Sequence, residues 1–170
     1  DKGIPAALYM ALCRTLLRAV APDLLEPERT LARINQLLED QSDNDQFVTC
    51  FYAIWRPATG DLIYSNAGHN WPLLVNPFGV VQRIPGQQGM PLGIFPEIPL
   101  HVHHIQLTPG THLVCYSDGI TDAHPGNWQG FGEEGLKQVL AENHALTAPE
   151  LSDAVARAVV EYVGEEPPFD

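Results

Sequence analysis

The sequence predicts an α+β fold in which helices flank a run of antiparallel hairpins. Three observations carry this expectation. Helical periodicity opens the chain, short β-branched and aromatic runs punctuated by Gly and Pro fill its middle, and helical periodicity returns at its end. No repeat, low-complexity tract or linker interrupts that order, so the 170 residues are expected to form one domain around a sizeable core.

The elements follow in chain order. Residues 5–21 read as a helix. Leu8, Leu12, Leu16 and Ala19 make one apolar stripe, and Met10, Cys13, Leu17 and Val20 make a second. Two stripes predict a helix buried on two sides, ended by Pro22. A second helix spans 27–39, with proline in its first turn and one narrow apolar face of Leu31, Ile34 and Leu38. Residues 41–46 are polar and predict a loop. Residues 47–55, rich in aromatic and β-branched types, predict a strand that turns at Pro57-Ala58-Thr59-Gly60 and returns over 61–65.

A second hairpin is expected from 71–76 and 80–84 around Pro77 and Gly79, then a loop rich in Gly and Pro over 85–99. Residues 101–107 and 112–116 are expected to form a third hairpin, turned by Pro109-Gly110. A helix over 133–142 opens with acidic residues, which suit a helix N-terminus. Thr147-Ala148-Pro149-Glu150 is a capping box. It starts a last helix whose buried face is expected to hold Leu151, Val155, Ala158, Val159 and Tyr162, and Gly164 ends it.

Bulk properties narrow the function. The formal net charge is −12, so a phosphate backbone would be repelled and nucleic-acid binding is not expected. The acidity fits carboxylates gathered around a divalent cation, and it fits a solvated acidic surface equally well. No apolar run is long enough to span a bilayer, and the first residues lack the basic and apolar segments of a signal peptide. A cytoplasmic protein without a membrane partner is therefore expected. The chain also lacks an initiator Met, as a piece of a longer protein would. Cys13, Cys50 and Cys115 are odd in number and far apart in sequence, and they read as buried free thiols of a reducing compartment. None has a thiol-activating neighbourhood.

Four segments carry residues with chemical potential. In Tyr116-Ser117-Asp118-Gly119 an apolar strand ends in a small residue, an acid and a glycine. A strand end holds a carboxylate rigidly, and Gly119 lets the backbone turn and a ligand approach. Hard cations such as magnesium and manganese prefer such oxygen ligands. A plain Asp-Gly turn is the alternative. Asp122 is either a group supporting such a site or a polar loop residue. In Ala67-Gly68-His69-Asn70, the His and Asn could contact a phosphate or orient a water, or simply bond local backbone. His101 and His103 share a strand face and could bind a transition metal, or could be exposed polar positions like His104. Asp170 is a lone terminal acid. No Gly-x-Ser-x-Gly elbow, Walker loop, His-Glu-x-x-His or Cys-x-x-Cys occurs, and nothing positive supports Ser117 as a nucleophile.

Taken together, these segments resemble the SpoIIE-type branch of the metal-dependent (2C-like) serine/threonine protein phosphatases. Asp1-Lys2-Gly3-Ile4-Pro5-Ala6-Ala7-Leu8-Tyr9-Met10 resembles the helix start after the family's first Gly-Asp metal motif, and Phe47-Val48-Thr49-Cys50-Phe51-Tyr52 resembles its central strand. Asn66-Ala67-Gly68-His69-Asn70-Trp71-Pro72-Leu73-Leu74 is similar to its Ala-Gly-His-Asn-x-Pro signature. Pro91-Leu92-Gly93-Ile94-Phe95, Tyr116-Ser117-Asp118-Gly119-Ile120-Thr121-Asp122-Ala123 and Phe131-Gly132-Glu133-Glu134-Gly135-Leu136 resemble three more segments, in the family's order.

The resemblance implies two antiparallel sheets packed as a sandwich with helices outside, here lacking the first strands and the last strand. It implies hydrolysis of phosphoserine or phosphothreonine on a protein by a water bound to two Mn2+ or Mg2+ ions about 3.5–4 Å apart. No side chain would be the nucleophile. Asp118 and Asp170 would bind metal, with the Gly119 backbone as a further ligand, and His69, Asn70 and Asp122 would contact substrate or support the site. The family's first metal-binding Asp would precede Asp1, and its final Asp-Asp-Ile-Thr motif would continue beyond Asp170. The implied substrate is a phosphorylated anti-anti-sigma-type regulator, and the implied neighbour is an upstream sensor or receiver domain. A catalytically inactive module that binds a phosphoprotein or regulates a partner is the rival expectation.

Overall fold

The computed structural model describes residues 3–39, 46–125 and 130–164. The fold is α+β, with two antiparallel three-stranded sheets and five α-helices among the described residues. The chain divides into two compact units, Asp1–His69 with Pro85–Leu107, and Asn70–Ile84 with Thr108–Asp170.

In the first unit, α1 (Ile4–Val20) and α2 (Pro27–Glu39) pack on each other, and the sheet has the order β1 (Cys50–Arg56), β2 (Asp61–Ala67), β5 (His103–Gln106). The predicted narrow face of α2 is the centre of this core: Leu31, Ile34 and Leu38 are buried with Ala67 and Leu92. α1 differs from expectation. Its Leu12, Cys13, Leu16, Leu17 and Val20 lie against that cluster, but Leu8 is 66% and Met10 61% exposed. The helix is therefore covered on one side among the described residues. Pro22 falls within a 3-10 turn, Ala21–Asp23, that closes α1. The expected loop over 41–46 lies outside the described residues except for Gln46.

A side chain absent from the sequence reading organises the loop that leads into β5. Asn35 on α2 is buried, and its Nδ2 donates to the carbonyls of Phe95 (2.9 Å) and Pro96 (3.1 Å) while its Oδ1 accepts from Gly93 N–H (2.9 Å). One amide thus satisfies three backbone groups that would otherwise be stranded.

In the second unit the sheet has the order β4 (Val81–Arg83), β3 (Leu73–Val75), β6 (His112–Val114). α4 (Gly132–Glu142) and α5 (Ala148–Val163) bury Leu136, Leu140 and Leu151 against Leu73 and Val75. The capping box of α5 is present: Glu150 Oε2 accepts from the backbone N–H (2.9 Å) and hydroxyl (2.7 Å) of Thr147.

The third predicted hairpin does not exist. β5 pairs with β2, Tyr64 opposite His103, whereas β6 pairs with β3, Leu73 opposite Val114. The Pro109-Gly110 turn carries the chain from one sheet to the other. The first two hairpins are as expected, with Ala53 opposite Tyr64 and Leu74 opposite Gln82.

Candidate functional site

The strand-end acid lies in the second unit. β6 runs out through Cys115 and Tyr116 into a single helical turn, α3 (Asp118–Thr121), where the sequence suggested an open turn. The carbonyl of Asp118 accepts from Asp122 N–H (2.7 Å) and from the Thr121 hydroxyl (3.2 Å), which pins the backbone at the acid. Its carboxylate is exposed and accepts no hydrogen bond from the described residues. Gly119 has no internal need to be glycine. A Cβ there would meet only Ser117 Oγ, at an ordinary 3.6 Å, and its backbone is not in the left-handed region. Open space over a glycine is room for a ligand to reach main-chain oxygen. Asp122 is exposed, and its Oδ1 accepts a long bond from Thr121 (3.4 Å).

The exit of β6 is fastened from behind. The Tyr116 hydroxyl donates to Glu133 Oε2 at 3.1 Å, and the same carboxylate receives Arg83 Nη2 at 2.6 Å and Lys137 Nζ at 2.7 Å. Arg83 foremost, then Lys137 and Tyr116, hold the Glu133 carboxyl down to about 2. Burial, with the Glu133 charge beside it, pushes the Tyr116 phenol up to about 12.

A second set lies in the first unit, at the end of β2. Asn66 is buried and grips the turn from both sides: Oδ1 accepts from His69 N–H (2.8 Å), and Nδ2 donates to His69 carbonyl (3.0 Å). Gln88 Nε2 donates to the same carbonyl at 3.1 Å. Gly68 has φ +73°, and a Cβ there would come within 2.7 Å of Pro91, so both conformation and space require glycine. The His69 ring places Nδ1 3.0 Å from Thr49 Oγ1. Asn70 follows, half-buried, at the start of the next segment.

The histidine pair has another role. His103 Nε2 accepts from Gln87 N–H at 2.9 Å, and its ring lies tilted against Tyr64, centroid to centroid 5.5 Å. Gly86, at φ +139°, leaves room for that ring. His101 lies 6.4 Å from it, ring to ring. His103 thus steadies the loop that carries Gln88. The thiols also depart from expectation: Cys13 and Cys50 are half-buried and Cys115 is exposed.

For a divalent cation the donor type fits. Asp118 is a hard oxygen ligand on a fixed backbone, beside a glycine with open space above it. The donor number is incomplete: among the described residues no group of three or more His, Cys, Asp or Glu is placed to hold a metal. Asp170, expected to join Asp118, lies outside the described residues.

Two antiparallel sheets with helices make an α+β fold like that of PP2C phosphatase domains. The SiaA PP2C domain of Pseudomonas aeruginosa superposes with a TM-score of 0.86 at 20% identity, covering 99% of this chain and 68% of that one. The family model for SpoIIE, Stage II sporulation protein E, matches residues 1–170, and the chain belongs to that family. It is 24% identical over 197 residues to Protein IcfG of Synechocystis sp., covering all of this chain and 31% of IcfG. It is 28% identical over 151 residues to phosphoserine phosphatase RsbU of Bacillus subtilis, covering 86% of this chain and 43% of RsbU. The chain thus spans less than half the length of these two relatives. Among its described residues no helix is long and apolar enough to cross a membrane.

Proposed function

We propose that this chain is the catalytic domain, or most of it, of a phosphatase that hydrolyses phosphoserine or phosphothreonine on a protein, with Asp118 holding a manganese or magnesium ion. The observation that carries this reading is the placement of Asp118. It is an exposed carboxylate on a pinned backbone, beside a glycine that packing does not require, in a family with a relative named as a phosphoserine phosphatase. The Gly119 carbonyl and the Asp170 carboxylate are the further oxygen ligands in this reading. A bound divalent cation supplies positive charge that lowers the pKa of water and offsets charge on the phosphoryl oxygens.

The chain's own groups do the rest. The Asp118 carboxylate attracts the cation, and the Asp122 N–H, bonded to the Asp118 carbonyl, fixes the backbone that carries it. The clip of Tyr116 onto Glu133 keeps the strand end from swinging. His69, Asn70 and Asp122 are the further residues of this reading, as contacts to substrate or as supports. The substrate is an anti-anti-sigma-type regulator, the input comes from an upstream sensor or receiver domain, and the setting is cytoplasmic.

The test is phosphate release from a phosphoserine protein as manganese is added, in the chain and in Asp118→Asn. Loss of release and of manganese binding, with an unchanged unfolding midpoint, is expected. Manganese binding that ignores the substitution refutes the assignment. The second reading is an inactive phosphoprotein-binding module. Such a module would bind the phosphoserine protein with no turnover at any manganese concentration.

A further inference from the structure

The end of the second sheet that leads to Asp118 also carries a tryptophan. β3 and β6 are antiparallel with Leu73 opposite Val114, so the residues entering β3 lie at the same end of the sheet as those leaving β6. Trp71 stands just before the first strand and Asp118 just after the second. The backbone between Trp71 and β3 is fixed, because the Pro72 carbonyl accepts from Ile84 N–H at 2.8 Å. The indole itself is uncommitted. It is half-buried and is not among the side chains that pack on Leu73, Val75, Leu136 and Leu140. Among the described residues it makes no ring contact, and its Nε1–H has no hydrogen-bond partner. A large, stiff ring on a fixed backbone loses little freedom when a ligand packs against it.

We propose that Trp71 is a specificity-determining residue: its indole face receives a lysine or arginine side chain of the substrate protein beside the phosphoserine. This deepens the phosphatase reading and rests on it. The charges at this end of the sheet decide the sign of the side chain that is welcomed. Arg83 and Lys137 are both engaged by Glu133, and Lys137 by Glu134 as well. Asp118 and Asp122 are exposed, with no cation paired to either among the described residues. A metal at Asp118 would offset one of these charges and leave Asp122, in a chain of net charge −12. That field draws a cation and repels an acid, and the face of an indole binds a cation better than any other side-chain ring does.

The experiment compares two phosphoserine peptides that differ only in an arginine or an alanine beside the phosphoserine. Manganese is present, and physiological ionic strength screens the exposed acids. In wild type the arginine peptide should have the higher kcat/KM, by about two- to fivefold. Trp71→Leu should remove most of that preference, and Trp71→Phe, which keeps a ring, should retain part of it. Each variant is judged by the ratio of its own two rates, so a partial loss of folded protein cancels. A second readout needs no turnover: the Trp71 indole N–H signal in a 15N–1H correlation, identified with Trp71→Phe, should shift more with the arginine peptide than with the alanine one. Equal rates on the two peptides in wild type, a preference that Trp71→Leu leaves in place, or an indole signal that ignores both peptides would each overturn the proposal. Indole shifts in the expected order with no phosphate released from either peptide would fail the phosphatase reading instead.

Discussion

Arg83 reaches fifty residues along the chain to close on Glu133, placing Nε 2.9 Å from both carboxylate oxygens and Nη2 2.6 Å from Oε2. A planar guanidinium matched to a planar carboxylate is the strongest form of such a pair. It joins the end of β4 to the first turn of α4, while Tyr116 brings the exit of β6 to the same oxygen.

That grouping predicts a pH dependence. The Glu133 carboxyl is lowered in the folded state from 4.5 to about 2, chiefly by Arg83. A depressed carboxyl contributes stability that is present above its unfolded value and lost as pH falls toward the folded one. Glu133→Gln should cost about 1–2 kcal/mol near neutral pH. The gap between wild type and variant should close between pH 4.5 and 2. Urea unfolding across that window measures it, and a gap that stays constant would dismiss the clip.

Asn35 supplies the second prediction. Asn35→Ala strands the N–H of Gly93 and the carbonyls of Phe95 and Pro96, and should destabilise by about 2–4 kcal/mol. Faster amide exchange at Gly93 should accompany the loss. Unchanged exchange would mean the loop is held by its apolar contacts alone.

Two glycines with the same φ of +73° allow a controlled comparison. Gly68→Ala meets Pro91 at 2.7 Å, whereas Gly132→Ala meets nothing within 4 Å. Gly132→Ala should show the conformational cost alone, about 1 kcal/mol, and Gly68→Ala should exceed it by at least as much again. Equal costs in thermal melts would show that Pro91 yields.

The thiols should differ in reactivity. Burial pushes Cys50 up to about 11, and Cys115 is on an exposed residue and raised less. Iodoacetamide at mildly alkaline pH should therefore label Cys115 well before Cys50, read by mass spectrometry of the digested chain. Labelling in the reverse order would place Cys50 in a looser setting.

What the sequence disclosed was local. The face of α2 needed only the spacing of Leu31, Ile34 and Leu38, and the α5 capping box needed four adjacent residues. Asp118 stood out because an acid and a glycine end an apolar run. What it concealed depended on distant partners. Glu133 read as an ordinary acid at a helix start, since nothing local points to Arg83. Asn35 looked like one polar residue on a helix, since its acceptors lie about sixty positions away. Pro109-Gly110 gave a sound turn but a false hairpin, because a turn does not specify which strand comes alongside. Leu8 and Met10, one from each stripe of α1, were misread as buried for a similar reason: periodicity marks an apolar side and does not supply the surface that covers it. At the candidate site, the acid and the His-Asn turn were legible, whereas the Thr49 contact and the Asn66 grip were not.

The interleaving of the two units bears on how the chain is made. The boundaries fall at 69–70, 84–85 and 107–108, so each unit is assembled from separate stretches of polypeptide. On a ribosome, the growing sheet of β1 and β2 must wait through the whole β3–β4 excursion before its third member emerges. A single protease nick at any one crossing would divide at least one unit between two fragments, so no single cut should give both units intact on separate pieces.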